Sequence, residues 1–274
     1  MTQDQSATIE TEGATLAYDW TGSGPLLLTI AGGGGDAPRH IGLSRQLADT
    51  FTVVRYDRRC SSRSSGDPDA DLDMGQQARD ALAIIRALGR DNAFVFGNSG
   101  GASIALKLAE DHPEAVLGLA LHEPPILPAL PEGDEMIAFM DTVEATFRSA
   151  GVGPAMGLFA SKLVGFDAPA PAGQRIGEQN ANANLEFFLR REVHNLCRYA
   201  PDLAKIRAAG APALLLRGEA SADAYYARTA PILAAALGGT VMTVPGNHVG
   251  FIADPAPIAA ALRDFFGAIR AGAA

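Results

Sequence analysis

The stretch Phe94-Val95-Phe96-Gly97-Asn98-Ser99-Gly100-Gly101-Ala102 decides how this chain is read. An apolar run of strand type passes directly into four small or turn-forming residues around one serine, then into an alanine-rich helical pattern. Either this is a flexible turn that contains a serine, or it is a turn so tight that only glycines fit around a displayed hydroxyl. The pattern is G-x-S-x-G between a predicted strand and a predicted helix, which favours the second reading. Glycine at both flanks supplies room where a Cβ would collide with the facing backbone. Such a turn holds the Ser99 hydroxyl clear of the sheet and aims the following backbone N–H at any oxyanion that forms there.

Outward from this turn, apolar β-branched runs alternate with helical patterns. Strands are predicted over 7–10, 16–19, 26–30, 52–56, 93–96, 117–122, 213–217 and 241–244. Several are continuous apolar runs, as expected of strands covered on both faces. Helices are predicted over 41–49, 74–88, 101–111, 222–237 and 256–268. This alternation predicts an α/β fold, a mostly parallel sheet of about eight strands flanked by helices, with an antiparallel start. The rhythm breaks between Pro124 and Lys205, where no strand pattern occurs. There Met136, Met140, Val143 and Phe147 mark one helical face, and Leu185, Phe188, Leu189, Val193 and Leu196 mark another. A loop, DAPAPAG (167–173), splits the two. The domain expectation is therefore a core of 1–124 and 206–274 with a helical lid over 125–205. The lid's aromatics and methionines, Phe139, Met156, Phe159, Phe166 and Phe187 among them, suit both a small core and an apolar pocket lining; Met140, Phe159 and Phe188 are the substrate-binding candidates.

Composition narrows the class. A net charge of −9 with scattered cations carries no electrostatic footprint for nucleic acid. Two cysteines, Cys60 and Cys197, make neither a disulfide framework nor a metal knuckle. The start MTQDQSATIE is polar and acidic, unlike a signal peptide, and no apolar run approaches the roughly 18 residues of a membrane span. The expected setting is cytoplasmic, with a small-molecule substrate, no nucleic acid, no membrane and a homodimer as an open assembly.

Two further loops carry chemistry. Ala31-Gly32-Gly33-Gly34-Gly35 follows the apolar strand LLLTI, and its glycines let a backbone N–H approach a reacting carbonyl. It lacks the G-K-[ST] ending of a phosphate loop and the G-x-G-x-x-G spacing. Gly246-Asn247-His248-Val249-Gly250-Phe251 follows the strand VMTV. This puts His248 at a strand's carboxyl end, where open α/β sheets carry their sites.

With these loops in this order, the chain resembles the α/β-hydrolase fold family of serine hydrolases over nearly its whole length. Tyr56-Asp57-Arg58-Arg59-Cys60-Ser61-Ser62-Arg63-Ser64 is similar to the family's structural D-x-R-G-x-G-x-S segment, with Cys60 and Ser62 where glycines are usual. The resemblance implies Ser99 as nucleophile, His248 as its base, the N–H groups of Gly33 and Gly100 as oxyanion hole, and no metal or organic cofactor. The base needs a carboxylate to hold its tautomer and charge. Where the family usually has G-x-x-D, this chain reads Gly218-Glu219-Ala220-Ser221, and Glu219 and Asp223 are each displaced by two residues. The dehalogenase branch places its acid at the end of the strand after the elbow helix, where Leu121-His122-Glu123-Pro124-Pro125 is similar. Glu123 is the preferred acid, with Glu219 and Asp223 open. His40, His112 and His194 read as surface or capping residues, His122 as a minor pocket candidate, and Cys60 as a packed thiol. The expected activity is hydrolysis of a small, fairly apolar ester or lactone. Alternatives are C–C hydrolysis of ring-cleavage diketones, acyl transfer, and a non-catalytic ligand-binding relative. Aspartate-nucleophile dehalogenase or epoxide chemistry is disfavoured by Ser99.

Overall fold

The computed structural model describes residues 4–164 and 178–272. The loop 167–173 and Phe166 lie outside these residues. Eight strands form one sheet: β1 (Gln5–Thr11), β2 (Ala14–Thr21), β3 (Leu26–Ile30), β4 (Thr52–Tyr56), β5 (Ala93–Asn98), β6 (Val116–His122), β7 (Ala213–Gly218) and β8 (Thr240–Val244). Their order is β1-β2-β4-β3-β5-β6-β7-β8. The pairings of β2 with β1 and β4 are antiparallel, and all the others are parallel.

Side chains alternate across the sheet as the period of two demands. Leu26, Leu28, Ile30, Val95, Leu119, Leu121 and Leu215 face one layer, made by α2 (Met74–Ala87), α3 (Gly100–Asp111), α8 (Leu203–Ala209) and α9 (Tyr225–Leu237). Leu27, Phe94, Phe96, Ala120, Leu214 and Leu216 face the other, made by α1 (Ile41–Leu47), α10 (Gly250–Ala253) and α11 (Ala256–Arg270). Burial on both faces explains why the central strands read as unbroken apolar runs. β8 departs from that reading. It is the sheet's last strand, and Val241 and Met242 are exposed because no further strand or helix covers them fully.

Between β6 and β7 the described chain is helical: α4 (Gly133–Ala150), α5 (Val152–Ala160), α6 (Glu178–Phe187), a π-helical turn (Phe188–Glu192) and α7 (Val193–Arg198), before α8. Met140, Val143, Phe188, Leu189, Val193 and Leu196 share one apolar cluster there. The pattern 185–196 predicts one continuous helical face, whereas the π turn interrupts it and rotates the residues beyond it. The helix expected from 222 begins at Tyr225 instead, because Glu219–Ser221 forms a 3₁₀ turn and Ala222 has φ 45°. Among the described residues no helix is long and apolar enough to cross a membrane.

Candidate active site

The strand order reverses at β3, which has β4 on one side and β5 on the other. In an open parallel sheet this reversal leaves a crevice beyond the carboxyl ends of the two strands. The glycine loop after β3 and the serine turn after β5 both open there, since Ile30 pairs with Gly97.

Ser99 has φ 51° and ψ −129°, a backbone conformation that costs a non-glycine residue energy and persists only when its surroundings enforce it. The enforcement is visible. A Cβ on Gly97 would lie 2.4 Å from the Gly101 carbonyl oxygen, and one on Gly101 would lie 2.0 Å from that of Ile30. The Ser99 N–H donates to the His122 carbonyl (2.9 Å), which ties the turn to the end of β6. Gly33 comes close as well: its nitrogen lies 3.8 Å from where a Gly100 Cβ would stand. Among the described residues, neither the Gly33 nor the Gly100 N–H donates to a loop, turn or cap acceptor.

Glu123, one residue beyond β6, also has a positive φ, 50°. Its N–H donates to the Leu216 carbonyl (3.0 Å), and the turn aims its side chain across β7. The carboxylate is fully buried and held at both oxygens. The Gly218 N–H donates to Oε1 (2.8 Å), and His248 Nδ1 donates to Oε2 (2.7 Å). Burial alone would raise the Glu123 pKa, but the His248 hydrogen bond and the two neighbouring imidazoles hold it below the usual glutamate value. Glu123 is therefore ionised. Ser221 is buried beside it, while Glu219 and Asp223 are exposed. The structure thus brings Glu123 to His248 and leaves the other two carboxylates in solvent.

His248 is buried against Tyr226, whose ring centroid lies 4.1 Å from its own. The Tyr226 hydroxyl accepts from the Val164 N–H (2.9 Å), so the helical segment reaches the histidine's packing partner. The His122 ring lies near-parallel to that of His248, with centroids 6.2 Å apart. Burial pushes the His122 pKa down to about 4, so it is neutral near pH 7. Phe188 lies over the glycine loop, its ring 2.9 Å from where a Gly33 Cβ would be, and Phe159 meets it edge-on at 5.4 Å. Met140 is buried within the helical cluster.

His40 corrects its reading as a surface residue. It is fully buried, with Nε2 2.9 Å from Asn98 Oδ1, and burial lowers its pKa to about 4. The turn between β3 and α1 drives it under Phe96 and Phe251, a contact no local pattern announces. Cys60 is half-buried, and burial raises its thiol pKa, so it is no activated nucleophile. Asp141, Glu144 and His194 cluster on the helical segment, but Arg198 already pairs with Asp141 and reaches His194, so a cation stands where a metal would need to bind.

Residues 25–151 match the family described as the alpha/beta hydrolase fold. An uncharacterized hydrolase of Bacillus subtilis, YraK, is 30% identical over 254 residues, 90% of each chain. An alpha/beta hydrolase structure from Sphaerobacter thermophilus superposes with a TM-score of 0.71 at 25% identity, covering 95% of this chain and all of that one. A thermophilic esterase structure from Thermogutta terrifontis has a TM-score of 0.79 at 21% identity, over 97% of this chain and 99% of its own, a likeness of fold. Fold, strand order and full-length similarity converge on one assignment: the chain belongs to the α/β-hydrolase fold family of hydrolases.

Proposed function

We propose that the protein is a serine hydrolase that cleaves a small, fairly apolar ester or lactone through a Ser99-His248-Glu123 triad. The observation that carries the reading is the buried, ionised Glu123 bonded at 2.7 Å to His248 Nδ1, at the same end of the sheet as the strained Ser99 turn. With Nδ1 donating to the carboxylate, the other ring nitrogen is left as the base. In the first step Ser99 Oγ attacks the carbonyl carbon as its proton passes to His248 Nε2. The carbonyl oxygen becomes an oxyanion that the N–H groups of Gly33 and Gly100 receive. His248 then protonates the departing alkoxide, leaving an acyl-Ser99. Water, deprotonated by His248, attacks the acyl carbon. The bond to Ser99 Oγ then breaks as His248 returns the proton to Oγ, which releases the acid and restores the free serine. Glu123 stays ionised throughout and stabilises the imidazolium.

The apolar preference rests on Phe188 and Leu196, which the helical segment brings within 2.9 Å and 3.1 Å of the Cβ positions of Gly33 and Gly100. The segment serves as a lid whose inner face offers hydrocarbon contact to the acyl or ring portion. A non-catalytic role loses its one support, since the site is not short of an acid. A fluorophosphonate probe should label Ser99, with label and hydrolysis of a short-chain p-nitrophenyl ester both abolished by Ser99→Ala. Turnover should favour esters and lactones over ring-cleavage diketones in a single panel. Unlabelled Ser99 with no ester or lactone hydrolysis would overturn the assignment.

A further inference from the structure

Arg58 occupies the unspecified position of the D-x-R segment, yet among the described residues it is the largest fully buried side chain. All five of its guanidinium N–H groups have acceptors. Nε donates to the Ala31 carbonyl (3.0 Å), and Nη2 to the Gly32 carbonyl (2.9 Å) and Glu192 Oε2 (2.8 Å). Nη1 donates to Glu192 Oε1 (2.5 Å) and Gln77 Oε1 (3.4 Å). Its main-chain N–H also donates to the Gly35 carbonyl (2.8 Å), so one residue grips the glycine loop at three carbonyls.

The Gly32 carbonyl and the Gly33 N–H belong to the same planar peptide. A cationic donor on that oxygen fixes the plane and polarises the amide, making its N–H a stronger donor. The same oxygen accepts the Gly35 N–H (3.0 Å), which closes the loop as a turn. The Arg58 donor adds a second, charged hold on a four-glycine run that is otherwise permissive at every residue. The counter-ion comes from the helical segment. Glu192 ends the π turn whose first residue, Phe188, lies on Gly33, so one turn of helix both covers the peptide and completes the clamp behind it. A buried ion pair adds little net stability over apolar residues of similar size, so fold stability alone does not account for this one.

We propose that Arg58 is a positioning residue that orients the Gly32–Gly33 peptide as oxyanion donor, and that Glu192 makes this orientation depend on the docked lid. The proposal rests on the reading of Ser99 and Gly33 given above. The test compares wild type, Arg58→Met/Glu192→Leu, Glu192→Gln and Ser99→Ala on a short-chain p-nitrophenyl ester. A trifluoromethyl ketone serves as oxyanion-forming inhibitor, and the product alcohol as ground-state ligand. The double variant replaces the pair by apolar volume, and its thermal midpoint should stay near wild type. Its kcat should fall about tenfold, part of the ~10²–10³ that losing an oxyanion donor costs, with KM within about twofold. Ketone affinity should weaken by the same factor, and alcohol affinity should hold. Should the double variant fail to fold, Glu192→Gln carries the test, with the same split between kcat and KM. Unchanged kcat and ketone affinity, or parallel loss of KM and thermal midpoint, would overturn the positioning role alone. Turnover surviving in Ser99→Ala would overturn the site reading and this proposal with it.

Discussion

Glu123 shows how much one backbone angle accomplishes. Its positive φ turns the carboxylate from the end of β6 across β7, where one peptide N–H and one imidazole hold it. Glu123→Gln keeps the shape but presents a neutral amide that no longer stabilises the imidazolium. Its kcat should fall by roughly 10³–10⁴-fold, as when the acid of a triad becomes an amide. Glu219→Gln and Asp223→Asn, changed on exposed side chains, should stay within about twofold. Steady-state rates of the three variants on one ester decide the matter, and a collapse at Glu219 or Asp223 with Glu123→Gln unaffected would move the acid.

At the scale of elements, the join of β5 to α3 is limited by backbone contact rather than by side-chain packing. A side chain at Gly101 meets the main chain of β3, and one at Gly97 meets Gly101 itself, so neither obstacle can swing aside. Gly101→Val should therefore yield insoluble or unfolded chain, a loss beyond the 4–5 kcal/mol that marks exceptional mutants. Gly97→Ala should lower the thermal midpoint, because its Cβ would press on the Gly101 carbonyl. A soluble, active Gly101→Val would contradict the geometry. The segment around Cys60 obeys the same sterics less strictly. Cys60 and Ser62 hold φ 61° and 50° without being glycine, and Asn184 bonds both the N–H and the hydroxyl of Ser62 to keep it there.

For the whole molecule, acid stability follows from two imidazoles enclosed in the core. His40 and His122 are fully buried and held neutral, with pKa values near 4 against 6.5 for the free side chain. As pH falls below about 6.5 the unfolded chain takes up these protons first. The stability from neutral burial is thus complete above about 6.5 and is lost progressively down to about 4. The thermal midpoint should drop across that window, and His122→Phe, which removes one titrating ring but keeps an aromatic against Phe251, should make the drop shallower. Equal slopes for variant and wild type would exclude His122 from the effect.

Periodicity and backbone sterics are local properties, so they are legible along the chain. Apolar runs between helical patterns mark all eight strands to within a few residues, and Gly97 and Gly101 announce a turn that admits nothing larger. The antiparallel start and the exposed β8 concern which strand neighbours which. Composition hints at the first and is silent on the second. Three carboxylates stay open from residues alone, because the pairing of His248 with Glu123 spans 125 positions and depends on the register of β6 against β7. Arg58 and Glu192 stand 134 positions apart, and neither residue carries a local signal of the other. Only the packing of the helical segment onto the sheet brings them together, since burial makes an unpaired guanidinium too costly to leave there.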